Sequence, residues 1–139
     1  MRQKNHQKDT GKTEFTKINF KIKILIMEKI DWTKNFNGAI TICNKEGIIV
    51  EMNKKAIKTF EADGGEKLLG TDIFDCHPEP SKTVLKELIQ NKKTNIYTIE
   101  KNGVKKLIYQ APIFDDAEYK GIVELSLEIP FDMPHFKRT

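Results

Sequence analysis

The sequence predicts one α+β domain, a five-stranded antiparallel sheet with helices packed on one face, and three observations predict it. Residues 38–60 hold two short β-branched runs, 39–43 and 48–52, separated by the turn residues Asn44-Lys45-Glu46-Gly47, which reads as a hairpin. Asn53 follows at once, and its side-chain oxygen is suited to accept from the free N–H groups that open a helix, so 54–60 is expected to turn helical directly after the second strand. The last third carries three alternating runs, with Asn102-Gly103 at the first junction as a strong hairpin dipeptide.

Length and composition bound the problem. A chain of 139 residues with 38% hydrophobic side chains supports one modest core rather than two. No run of 18 apolar residues is present, so no membrane span is expected, and the Lys- and Gln-rich start lacks the apolar stretch of a signal peptide. The expected location is the cytoplasm. The net charge of +4 is unevenly placed: residues 1–26 hold seven basic against two acidic side chains, +5, which leaves −1 for the rest. The basic excess therefore belongs to an extension and the domain is nearly neutral, which argues against a nucleic-acid interface. Cys43 and Cys76 are too few and too far apart for a zinc site built from cysteine pairs.

Taken in order, the chain divides into a basic extension, 1–26, a domain over 27–129 with its core at 38–129, and a tail, 130–139. Residues 1–17 are polar and aperiodic and are expected to be disordered. Residues 18–24 alternate apolar with polar and read as a strand able to pair with a sheet edge; the alternative is that Met27 is the functional start. Asp31 is placed to cap a short helix on which Trp32 and Phe36, four apart, both turn inward. Ala56, Ile57 and Phe60 share a face of the next helix. Residues 61–65 read as a loop and 66–69 as one turn stopped by Gly70. Pro78 and Pro80 bar a helix over 75–80, after which Ser81 is expected to cap a helix over 82–90 with Val84, Leu85, Leu88 and Ile89 as its apolar stripe. The strands of the last third are expected at 94–100, 104–114 and 119–129. Along the final one Val123, Leu125, Leu127 and Ile129 are taken to face the core while Glu124, Ser126 and Glu128 face water.

The order strand, turn, strand, asparagine, helix resembles the start of a PAS domain. The string 68–74, Leu-Leu-Gly-Thr-Asp-Ile-Phe, is similar to the PAS segment between the small helices and the long one, and 119–125 is similar to the entry to the last PAS strand. The resemblance covers about 38–129. It implies a five-stranded sensory module with a ligand cavity between the long helix and the sheet, and a homodimer contact made by the flanking N-terminal segment, here Trp32 and Phe36. The usual Asp-Ile-Thr ending is replaced by Glu128-Ile129-Pro130, and Pro130 and Pro134 forbid a continuous signalling helix, which suggests a stand-alone module or an excised piece of a longer protein.

Asp75-Cys76-His77-Pro78 is the one cluster suited to a demanding ligand. Haem-holding PAS sensors take an axial histidine from the helix after this loop, so His77 is the one haem candidate, out of register by four residues. The flavin photoadduct of light-sensing relatives is not expected, because Thr71-Asp72-Ile73 stands where they carry Asn-Cys-Arg. The run 76–81 also resembles a Cys-His-Pro-Pro-x-Ser pattern of a bacterial PAS subgroup. For a small organic ligand the candidate pocket residues are Phe74, Cys76, His77, Leu85, Tyr97, Tyr109, Ala111 and Val123, with Gln110, Ile99 and Leu107 also taken as inward; the alternative is an interior filled by its own side chains. No catalytic triad, phosphate loop or metal-protease motif is present, and Asp115-Asp116 reads as a solvated turn, so no enzyme activity and no metal site are expected.

Three readings result: a sensory module that binds a small ligand or senses redox state and signals through dimer or partner contacts, a ligand-free interaction module, and a haem-based gas or redox sensor.

Overall fold

The structure, a computed structural model, describes residues 10–26 and 30–139. It divides into two units, Met1–Asp31 and Trp32–Thr139. The first contains α1, Thr10–Ile26. This corrects two expectations, disorder over residues 10–17 and a strand over 18–24, while residues 1–9 lie outside the described residues. A lone strand leaves its N–H and C=O groups without partners, whereas a helix closes them locally, and Thr16 Oγ1 adds a bond to Lys12 O at 2.7 Å. Met27 and the boundary drawn at 26/27 lie outside the described residues.

The second unit is built on five strands: β1 Ala39–Asn44, β2 Ile49–Met52, β3 Asn95–Lys101, β4 Val104–Asp115 and β5 Glu118–Ile129. They form one sheet in the order β2-β1-β5-β4-β3 with every neighbouring pair antiparallel. The first hairpin thus lies against the last strand. Between β2 and β3 run α2, Lys54–Thr59, two single 3₁₀ turns, Glu61–Asp63 and Gly65–Leu68, and α3, Ser81–Asn91. The fold class read from the sequence is the one observed, an α+β PAS fold. No helix among the described residues is long and apolar enough to cross a membrane.

The β2–α2 junction is organised by Asn53. Its Oδ1 accepts from Ala56 N at 2.8 Å, the helix cap anticipated from sequence, and also from Ile40 N at 3.1 Å on β1. Its Nδ2 donates to the carbonyls of Gly38, Thr33 and Phe36. Those bonds hold residues 32–35 as a turn in place of the expected Asp31-capped helix, with Phe36 N donating to Thr33 O. Trp32 and Phe36 accordingly do not turn inward. They are 61% and 39% exposed and meet edge to face, ring centroids 5.7 Å apart.

The long helix begins one residue earlier than expected. Ser81 lies inside α3, Pro80 occupies the cap position, and the open N–H is met by Glu79, whose Oε2 accepts from Thr83 N and Thr83 Oγ1. Of the expected stripe, Leu85 is buried and Leu88 and Ile89 pack beside it, but Val84 is exposed. Leu85 reaches the sheet, joining Ala39, Cys43, Ile49, Met52, Ala56, Ile73 and Ile122 in the core.

The faces of the sheet differ most from expectation. In the β1–β5 register Ile122 lies opposite Cys43, Glu124 opposite Thr41 and Ser126 opposite Ala39. Cys43 and Ala39 belong to the core under the helices, so Glu124 and Ser126 share the interior face. Val123, Leu125, Leu127 and Ile129 occupy the opposite face and are half-buried. Glu128, on the interior face at the strand's end, pairs with Lys55 of α2 at 3.2 Å.

Candidate functional site: a cavity between the long helix and the sheet

A partly open cavity of about 150 Å³ lies between α3, the 3₁₀ turns and the sheet. For scale, a 150 Å³ cavity engineered into a protein core admits benzene. Most of its wall is apolar, with Ile49 and Met52 from β2, Phe60 and Leu68 from the helical side, Leu85 from α3 and Ile122 from β5. Cys43 and Ile73 complete this part.

The polar part of the wall comes from two directions. From the sheet come Thr41, Gln110 and Glu124. Gln110, 5% exposed, donates through Nε2 to Glu124 Oε2 at 2.7 Å and accepts through Oε1 from Asn95 Nδ2 at 3.0 Å. The three are cross-strand neighbours on β3, β4 and β5. Asp63, Cys76 and His77 come from the helical side. The segment carrying the last two is stitched to β2 and to the turn before it: Gly70 N donates to Ile49 O, Ile49 N to Thr71 O, and Ile73 N to Gly47 O. His77 Nδ1 lies 2.8 Å from Ile73 O. A carbonyl oxygen only accepts, so Nδ1 carries the proton and Nε2 is left as an acceptor in the neutral ring. The Cys76 thiol donates to the same carbonyl at 3.2 Å.

Both cysteines are held as thiols. Burial, followed by the charge of Glu124, pushes Cys43 up to about 12. Cys76 is also raised, by burial and by the charges of Asp63, Glu124 and Asp75, against the opposing effect of a backbone hydrogen bond. A raised thiol is a poor nucleophile and a poor redox group.

Of the pocket residues expected from sequence, the structure brings Cys76, His77, Leu85 and Gln110 to the cavity wall. Phe74 packs behind the wall against the core, with Lys86 Nζ 5.6 Å from its ring centroid. Tyr97 pairs with Ile108 on the interior face but lies beyond the wall and is 42% exposed. Tyr109, Ala111 and Val123 pair with one another's strands on the opposite face and do not reach the cavity; Leu107 is there too. Glu124, Asp63 and Thr41 were missed. Aligning Ile122 with the interior Cys43, which puts Glu124, two positions along, opposite Thr41 on the same face, is the signal that identifies it.

The residues do not fit haem: a porphyrin is several times larger than benzene, and the wall that includes His77 also carries two carboxylates. Among the described residues no three His, Cys, Asp or Glu side chains come together as a metal site.

The chain is similar in fold to several solved PAS domains. The PAS domain of the histidine kinase ThkA aligns with a TM-score of 0.54 at 23% identity, over 65% of this chain and 97% of that one. The PAS domain of BvgS from Bordetella pertussis aligns with a TM-score of 0.52 at 19% identity, over 83% and 88%. A structure described as the Aer2 receptor from Vibrio cholerae, a dual PAS-heme oxygen sensor, aligns with a TM-score of 0.50 at 17% identity, over 67% and 95%. No protein-family model matches the sequence, and no curated protein matches it. At these identities the likeness establishes the PAS fold.

Proposed function

We propose that this chain is a sensory signalling module that binds a small organic molecule in the cavity and transmits occupancy to a partner through the Trp32–Phe36 segment. The observation that carries this reading is the cavity itself. It sits where the resemblance to PAS domains puts their ligand site, it has room for a guest, and its polar groups are already oriented by Gln110 and by the Ile73 carbonyl. Similar folds in a receptor and in histidine kinases support a signalling role. The Cys76-His77-Pro78 loop, which carries the likeness to a bacterial PAS subgroup, contributes to the wall.

A route out of the cavity runs along the backbone. Met52 lines it, and the next residue, Asn53, holds the carbonyls of Thr33, Phe36 and Gly38. A guest that moves Met52 or the 72–77 loop changes the packing beneath the exposed Trp32–Phe36 pair, which we assign as the homodimer contact. Ligand sensing is preferred to redox sensing because both thiols are held protonated.

The test is thermal unfolding of the purified chain against a library of small metabolites. At a free concentration a hundred times Kd, a bound ligand adds about 2.7 kcal/mol to stability, a shift of several degrees. If no compound at millimolar concentration raises the melting temperature, ligand sensing is wrong. Sedimentation of wild type against Trp32→Ala checks the contact; an unchanged association state rejects it.

The second reading, an interaction module without a ligand, is favoured by the open sheet face. There Ile96 of β3 lies beside Tyr109 of β4, and both are exposed. Association that persists when every ligand fails to bind is its signature.

A further inference from the structure

We infer that the guest is a small organic ammonium ion of about six heavy atoms, held by Glu124 and His77 with its apolar body against Met52 and Leu85. This rests on the reading that the cavity takes a ligand, and it specifies the ligand's chemistry.

Size sets the first limit. A volume of about 150 Å³ matches a benzene-sized guest, well short of the cavities that hold drug-sized molecules, about 300 Å³ and upward. Hydrogen-bonding capacity sets the second. Several donors of the wall are already used: one Gln110 N–H donates to Glu124, and the Cys76 thiol and His77 Nδ1 both donate to Ile73 O, which leaves the second Gln110 N–H and the Thr41 hydroxyl. The remaining acceptors, Glu124 Oε1, His77 Nε2 and the Asp63 carboxylate, outnumber those donors, so a guest rich in donors is favoured.

Charge sets the third. The wall contains two carboxylates and no lysine or arginine. Their field is felt by Cys76, whose thiol Asp63 and Glu124 both help to keep protonated. An acidic wall that carries no basic side chain favours a cationic guest and repels an anion. A bare metal ion is the other cation to consider, but no three ligand side chains among the described residues converge, and most of the wall is apolar. A cation with a hydrocarbon body satisfies both parts.

Titration calorimetry at about pH 8 tests this with three probes of equal size: cyclopentylammonium, cyclopentanol and isobutyrate. At that pH a primary amine remains charged and an ordinary histidine is neutral, since their usual pKa values are about 10.4 and 6.5. The expected order is cyclopentylammonium at least about ten-fold tighter than cyclopentanol, with isobutyrate weakest. Glu124→Gln, which keeps the side chain's shape, is expected to abolish the advantage of the amine and leave cyclopentanol unchanged. Asp63→Asn, at an exposed position, is expected to reduce that advantage about two- to three-fold and serves if Glu124→Gln fails to fold by circular dichroism.

Cyclopentanol or isobutyrate binding as tightly as the amine overturns the ammonium assignment while leaving the cavity a ligand site. An amine advantage that survives both substitutions overturns it as well. If none of the three binds at about 10 mM, the ammonium assignment is lost, and the wider claim of a ligand site then stands or falls on the metabolite screen.

Discussion

The side chain of Asn53 reaches fifteen residues back to donate to the carbonyl of Gly38 at 2.8 Å. The same amide accepts from Ile40 N and caps α2 through Ala56 N. One buried side chain thus ties the helix start, the first strand and the Trp32–Phe36 turn together.

Asn53→Ala removes all of these bonds and leaves the Ile40 N–H buried without a partner. Loss of the cap costs about 1 kcal/mol and each buried unsatisfied group about 1–3, so a total of roughly 3 kcal/mol or more is expected in urea unfolding. Asn53→Asp is the sharper test. It keeps the acceptor for Ala56 but turns a carboxylate toward three carbonyl oxygens. It should also be destabilised, with altered Trp32 fluorescence, and wild-type stability in this variant would show that the Nδ2 bonds contribute little.

Gly121 sits on β5 at φ 149°, where β5 crosses β1. A Cβ here would collide with the carbonyl oxygen of Cys43 and approach the Asn44 backbone to 2.9 Å. Backbone atoms in a paired strand have nowhere to move. Gly121→Ala is therefore expected to lose about 3 kcal/mol or more, read from the denaturant midpoint. A change under about 1 kcal/mol would mean that the strand crossing is looser than described.

Cys43 makes stability depend on alkaline pH. Its thiol is raised by burial to about 12 in the folded chain, whereas an unfolded cysteine titrates near ~8.5. Between these values the unfolded chain has released a proton that the folded chain retains, so the unfolded state is favoured as pH rises. The contribution is complete below about pH 8.5 and declines above it by up to about 1.4 kcal/mol per pH unit. Unfolding measured from pH 8 to 10 should show this slope, and Cys43→Ala, though less stable throughout, should show a shallower one. Parallel curves would reject the assignment.

The Tyr119 hydroxyl is buried without a hydrogen-bond partner, while its ring meets Phe114 edge to face and carries Lys92 Nζ 5.3 Å from its centroid. Tyr119→Phe keeps both ring contacts and removes the unsatisfied hydroxyl. Stability should hold or rise by about 1 kcal/mol, with the melting temperature higher by a few degrees. A clear loss would reveal a partner, such as bound water, for the hydroxyl.

The elements legible in the sequence are those settled by near neighbours. Asn53 announced the start of α2, and Asn102-Gly103 announced the β3–β4 turn, where both residues have positive φ, 52° and 73°. Ser81 was misleading: a serine after proline resembles a cap, but Glu79, two residues earlier, supplies the hydrogen bonds. The 18–24 alternation read as a strand lies instead inside α1, whose backbone groups are satisfied within the helix.

The site was legible only in part. Cys76 and His77 stood out as a cluster suited to a ligand and Leu85 through the apolar stripe of its helix, and all three reach the wall. Glu124 was concealed by its type, since a carboxylate in an alternating strand is ordinarily assigned to solvent.

The sequence by itself determined the order of the elements, the hairpins and the helix cap, because short-range hydrogen bonds and backbone geometry decide these. Which face of β4 and β5 lies inside was a tertiary decision. Alternation of period two defines two faces without saying which one the helices cover, and only the pairing of Glu124 with Thr41 and Ile122 with Cys43 settles it. That pairing turns the polar side of β5 inward and so makes the cavity wall acidic.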